Sequence, residues 1–79
     1  MKIAVQLFGP LAEQAGRSRL EVSVTGTTVQ DVLAAVAEAA PALRIDRSVR
    51  FAVNTDYAEA SASLREGDVL SLIPPVGGG

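Results

Sequence analysis

Seventy-nine residues, with seven Lys/Arg against nine Asp/Glu, a net charge of −2 and 48% hydrophobic residues, describe one small domain with material for an efficient core. The mild charge and dispersed basic residues exclude a nucleic-acid-binding stripe. The apolar runs are too short to cross a membrane. Met1-Lys2-Ile3 leads straight into a strand pattern rather than a signal peptide, so a cytoplasmic protein is expected. The chain has no Cys and no His, which removes disulfides, thiolate metal sites and the usual nucleophile–base pairs. With Lys2 the only lysine, a self-sufficient enzyme with catalytic residues of its own is not expected.

Ile3, Val5 and Leu7 alternate with Ala4, Gln6 and Phe8, predicting a first strand over residues 2–8. Gly9-Pro10 breaks it, Pro10 suits the start of a short helical turn through Ala15, and Gly16 suits its end. Leu20, Val22 and Val24 give a second strand, close enough to pair antiparallel with the first. Thr28 reads as an N-cap with Asp31 as the acidic member of a capping box. Val29, Val32, Leu33, Val36 and Ala40 then follow the spacing of one amphipathic helix, which Pro41 stops. Residues 42–48 read as a loop with Leu43 and Ile45 against the core.

Val49, Phe51 and Val53 predict a third strand, Asn54-Thr55-Asp56 a turn, and Tyr57-Ala58 a short edge strand. Leu64 is a lone anchor in a polar loop, and Arg65-Glu66-Gly67-Asp68 is a tight turn. Val69–Ile73 is a near-continuous apolar run, as in a central strand. One helix cannot cover both faces of a sheet, so the economical architecture is α+β. It is a mixed sheet of four to five strands with one main helix packed on one face, the last strand parallel to the first. This is the β-grasp, or ubiquitin-like, fold. The open sheet face is expected to expose Phe8, Leu70 and Leu72 as a partner surface.

Beyond the last strand comes Pro74-Pro75-Val76-Gly77-Gly78-Gly79. The prolines hold the start of this segment extended, and six extended residues reach about 20 Å. The division expected is a β-grasp domain over 1–76 and a flexible extended tail over 77–79. Such a tail brings its carboxylate into a narrow site on another protein, unobstructed by side chains.

Four segments carry a resemblance that spans almost the whole chain. They are Phe8 with Leu11-Ala12-Glu13 and Gly16; Val53-Asn54 leading to Tyr57; Leu64 with Glu66-Gly67-Asp68; and Ile73-Pro74-Pro75-Val76 with the glycines. On these the chain resembles the ubiquitin-like MoaD/ThiS family of sulfur carriers, the small subunit of molybdopterin synthase in particular. The resemblance implies that a ubiquitin-activating-like adenylyltransferase, using ATP and Mg, adenylates the Gly79 carboxylate. A sulfur donor protein then supplies the sulfur of a C-terminal thiocarboxylate. The tail, with Pro75, Val76, Gly77 and Gly78 in the partner's channel, would donate that sulfur in the large synthase subunit, building the molybdopterin dithiolene on cyclic pyranopterin monophosphate. No cofactor or metal is expected on the chain itself, and a hetero-oligomer with the large subunit is implied. Two alternatives stay open: a carrier serving thiamine, cysteine or tRNA thiolation, and a protein modifier conjugated through Gly79. Glu13 and Arg17 read as solvated helix-end charges, Glu66 and Asp68 as turn residues, and Asn54 as a turn residue bonding local backbone.

Overall fold

The structure is a computed structural model that describes residues 1–75. Its elements run β1 (Lys2–Leu7), α1 (Pro10–Ala15), β2 (Arg19–Ser23), α2 (Val29–Ala39), β3 (Arg50–Val53), β4 (Asp56–Ala58) and β5 (Val69–Ile73). The five strands form one sheet in the order β2-β1-β5-β3-β4. β1 pairs antiparallel with β2 and parallel with β5, while β3 pairs antiparallel with both β5 and β4. This is the expected β-grasp architecture.

The helices begin and end where the local chemistry dictates. Thr28 Oγ1 accepts the Asp31 N–H while Asp31 Oδ2 accepts the Thr28 N–H, closing the capping box. The carboxylate also accepts the Thr27 N–H. Gly26 makes room for this arrangement: a Cβ there would collide with the Asp31 carboxyl group. α2 stops at Ala39, two residues before Pro41, and α1 ends on Gly16 in the left-handed region. Phe8 falls one residue beyond β1, and β3 begins at Arg50 rather than Val49.

Val29, Val32 and Val36 of α2 pack onto Ile3, Val5 and Leu7 of β1 and Leu20 and Val22 of β2, all buried. Leu43, Ile45 and Leu64 join this core as expected. Leu70 and Leu72 correct the sequence reading. Their partners across the parallel pair are Val5 and Leu7, so both point to the helix side, and both are fully buried. The open face of β5 instead carries Val69, Ser71 and Ile73.

The far end of the sheet is tied by a polar knot. The Asn54 N–H donates to the Val69 carbonyl at 2.7 Å, and Asn54 Oδ1 accepts the Val69 N–H at 3.1 Å. Asn54 Nδ2 reaches Asp68 Oδ1, whose other oxygen accepts the Arg65 N–H. Asn54 therefore bonds residues 14 and 15 positions away, not only local backbone as expected. It sits at φ 57°, a left-handed conformation that asparagine tolerates. Glu66 completes the knot by accepting the Lys2 N–H.

These bonds predict an acid-labile stability. The Arg65 N–H foremost, then the Asn54 amide, holds the Asp68 carboxyl below the usual carboxylate range, and the Thr28 N–H does so for Asp31. A depressed native pKa contributes stability that is fully present above the unfolded value of about 3.9 and lost as pH falls further. The melting temperature should therefore fall below about pH 4, and Asp31→Asn with Asp68→Asn should flatten that decline. Thermal scans from about pH 5 to pH 2 measure it; an unchanged slope in the double variant would assign the loss to other carboxylates. Separately, Leu70→Ala should cost about 2–5 kcal/mol in denaturant unfolding, as for other fully buried leucines.

Candidate functional site

The end of β5 decides where any C-terminal chemistry is delivered. β5 lies between β1 and β3, so Ile73 emerges mid-sheet, opposite Arg50. Pro74 is half-buried and Pro75 exposed. Pro74 lies against the β1–α1 turn, where a Cβ on Gly9 would be 3.7 Å from its Cγ. Gly9 itself has φ 53° and ψ −129°, a region essentially restricted to glycine. Val76, Gly77, Gly78 and Gly79, the remaining expected site residues, lie outside the described residues.

Beside the tail's base is a shallow, solvent-open depression of about 950 Å³. Arg47, Arg50, Tyr57, Glu59 and Pro75 are among its lining residues. Tyr57 projects from β4 with 73% of its surface exposed. The strand pairings set Tyr57 in a row with Ala52, Ser71, Gln6 and Arg19 across the open face. Ala4, Ala52 and Ser71 keep this face low. The large apolar side chains offered to solvent are therefore Phe8, 46% exposed, and Tyr57, rather than Leu70 and Leu72. The sheet brings Phe8 to the base of the tail but removes the two leucines from any surface. Arg47 and Arg50 escape the sequence reading, and Tyr57 enters it only as an edge-strand residue and as part of the resemblance, not as a surface contact. Tyr57's place opposite a core-facing alternation was the available signal; the two arginines had none.

No catalytic set is assembled among the described residues. No cluster of His, Cys, Asp or Glu suited to a metal occurs there. The perturbed carboxyls, Asp31, Asp46 and Asp68, are all lowered, chiefly by hydrogen bonds from Thr28, Ser48 and Arg65. A general acid needs the opposite shift. These carboxylates serve turns and caps.

The description of the ThiS family matches residues 5–79. The chain belongs to the ThiS family. It is 32% identical over 83 residues to the molybdopterin synthase sulfur carrier subunit of Chlamydomonas reinhardtii, with all of both chains covered. The crystal structure of SAMP1 from Haloferax volcanii superposes with a TM-score of 0.88 at 32% identity, again over all of both chains. The complex of subunits 1 and 2 of molybdopterin-converting factor from Helicobacter pylori contains a chain similar at TM-score 0.72 and 25% identity, with full coverage of both. Family membership supports the β-grasp reading and the class of sulfur-carrying, ubiquitin-like proteins. No helix among the described residues is long and apolar enough to cross a membrane.

Gly9→Ala tests the tail's seat. A methyl group on Gly9 would make ordinary van der Waals contact with Pro74 Cγ at 3.7 Å, so the cost is backbone strain, about 1–3 kcal/mol. Denaturant unfolding should show that loss; an unchanged midpoint would mean the turn adopts another backbone conformation without penalty.

Proposed function

We propose that the chain is a sulfur carrier acting as the small subunit of a molybdopterin synthase. The observation that carries this reading is the fold's exit: a central strand running through Pro74-Pro75 toward Gly79, on a chain without Cys or His. The full-length likeness to the Chlamydomonas reinhardtii carrier supports molybdopterin as the product.

The chemistry follows from what a carboxylate lacks. It is a poor electrophile until an oxygen becomes a good leaving group. An adenylyltransferase of the ubiquitin-activating type would join the Gly79 carboxylate to the α-phosphate of ATP with Mg, releasing pyrophosphate. Sulfur from a donor protein then displaces AMP, leaving a thiocarboxylate. In the large synthase subunit that sulfur passes to cyclic pyranopterin monophosphate, and two rounds complete each dithiolene. The chain supplies no acid, base or metal to these steps. Its contribution is delivery: Gly77, Gly78 and Gly79 leave the acyl carbon open to approach. Pro74 and Pro75 reduce the entropy lost when the tail is ordered. Phe8, beside the tail's base, is the apolar contact offered to the large subunit. The Helicobacter pylori complex of two such subunits supports a hetero-oligomer.

A second reading is favoured by the likeness to SAMP1, which is named a small archaeal modifier protein. Here the same activated Gly79 would be attacked by a lysine of another protein. Carriage of sulfur for thiamine, cysteine or tRNA thiolation differs only in the acceptor.

Intact mass after incubation with ATP, the adenylyltransferase and a sulfur donor should show one oxygen exchanged for sulfur at the C-terminus. No exchange would sink every carrier reading. Adding the large synthase subunit and the pterin should return the mass to that of the carboxylate; an isopeptide adduct instead favours the modifier. Deleting Gly79 should abolish transfer without moving the melting temperature, and a large drop in stability would refute the free-arm picture.

A further inference from the structure

We infer that β2 is a self-complementary edge through which two copies of this chain pair antiparallel, joining their sheets into one. The inference does not rest on the sulfur-carrier reading. β2 closes one side of the sheet, with β1 as its neighbour there. Its backbone groups divide by parity. The Leu7 N–H donates to the Ser18 carbonyl, and the Val24 N–H to the Met1 carbonyl, each at 2.8 Å. Every second pair of an antiparallel ladder is bonded in this way, so Val22 opposite Ile3 and Leu20 opposite Val5 also turn their N–H and C=O groups to β1. Arg19, Glu21 and Ser23 turn theirs outward, and no hydrogen bond among the described residues occupies them.

The side chains select one way of pairing. Arg19, Glu21 and Ser23 are exposed, while Leu20 and Val22 are buried. A second copy must therefore set outward residues against outward residues, or the buried side chains change face. Arg19 opposite the partner's Arg19, or Glu21 opposite the partner's Glu21, brings like charges together. Arg19 opposite the partner's Glu21 brings opposite charges together at both positions, with Leu20 on the two-fold axis. In that register each Arg–Glu pair exchanges both of its backbone bonds. An edge carrying charges of one sign keeps copies apart; the Arg19-Leu20-Glu21 edge complements itself.

The surroundings of β2 leave the edge open. A depression of about 320 Å³ runs between β2 and α2, lined by Glu21, Val22, Ser23, Ala35, Glu38 and Ala39. Ala35 and Ala39 are small, and the same register sets the partner's Ser18, also small, opposite Val22. Glu38 lies by Val22 and Ser23, off the axis through Leu20. The two copies of Glu38 thus stand roughly 15 Å apart, beyond a screening length of about 8 Å. The opposite edge of the sheet, β4, offers only the 3 residues Asp56–Ala58. β1 separates β2 from β5, so the pairing covers neither tail exit, and antiparallel symmetry points the two exits to opposite ends.

Sedimentation equilibrium of the full chain tests this. An interface so short belongs to the transient class, so a monomer near ~10 µM and a dimer growing toward ~1 mM are expected. A chain still monomeric at that upper concentration overturns the inference. Arg19→Glu and Glu21→Arg each set like charges opposite one another, and each alone should weaken pairing at least about 10-fold. Mixed in equal amounts, the two variants restore opposite charges at both positions and should recover the association of the unmodified chain. Arg44→Glu, an equal change of charge away from β2, should alter pairing less than about 2-fold. No recovery in the mixture, or an equal loss in Arg44→Glu, refutes the register. Hydrogen exchange gives a second readout. Raising the concentration should slow the amides of Arg19 and Glu21 but not those of Leu20 and Val22, which β1 already holds; slowing confined to other residues places the association on another surface and refutes the edge.

Discussion

The parallel pairing of β5 against β1 is the constraint on which the molecule depends. Through it Leu70 meets Val5 and Leu72 meets Leu7 beneath α2. A slip of one residue would turn both leucines to solvent and put Ser71 into the core. Short parallel strands far apart in sequence have no tight turn to set their register. Here the Asn54–Asp68–Val69 bonds do so from one side, and the Gly67 N–H to Lys2 carbonyl bond does so from the other. The polar knot at one end of the sheet thus holds the strand whose other end leads to the tail.

That arrangement separates two tasks. The core of the described residues is built from valines, leucines and one isoleucine of β1. The sulfur carriage proposed for the chain concerns the residues after it. Because β5 is central rather than an edge, its far end opens onto both sheet faces and both flanking loops. Phe8, Tyr57 and the arginine-lined depression all surround one exit. A tail leaving from an edge strand would have met only half of that surface.

Most elements were legible because their signals are local. The alternation of Ile3, Val5 and Leu7, the Thr28–Asp31 box, Gly16 and Pro41 each act within a few residues, and the structure bears each out. The face of β5 was not legible. Val69–Ile73 is apolar nearly throughout, so it contains no alternation from which parity can be read, and the open-face assignment of Leu70 and Leu72 failed there. Asn54 was legible as a turn residue, but its partners 14 and 15 residues away were not.

The amino-acid sequence by itself determined which side-chain chemistry these residues lack, that of Cys and His, and the Pro-Pro-Val-Gly-Gly-Gly run that follows the last strand. It also determined the element order, because caps, breakers and periodicities are short-range. Tertiary structure alone decided which side chains face outward around the exit. Arg47, Arg50 and Tyr57 become neighbours of Pro75 only when β3 and β4 pair alongside β5. Side-chain parity in a strand is a property of its neighbours' register, and register is a long-range quantity.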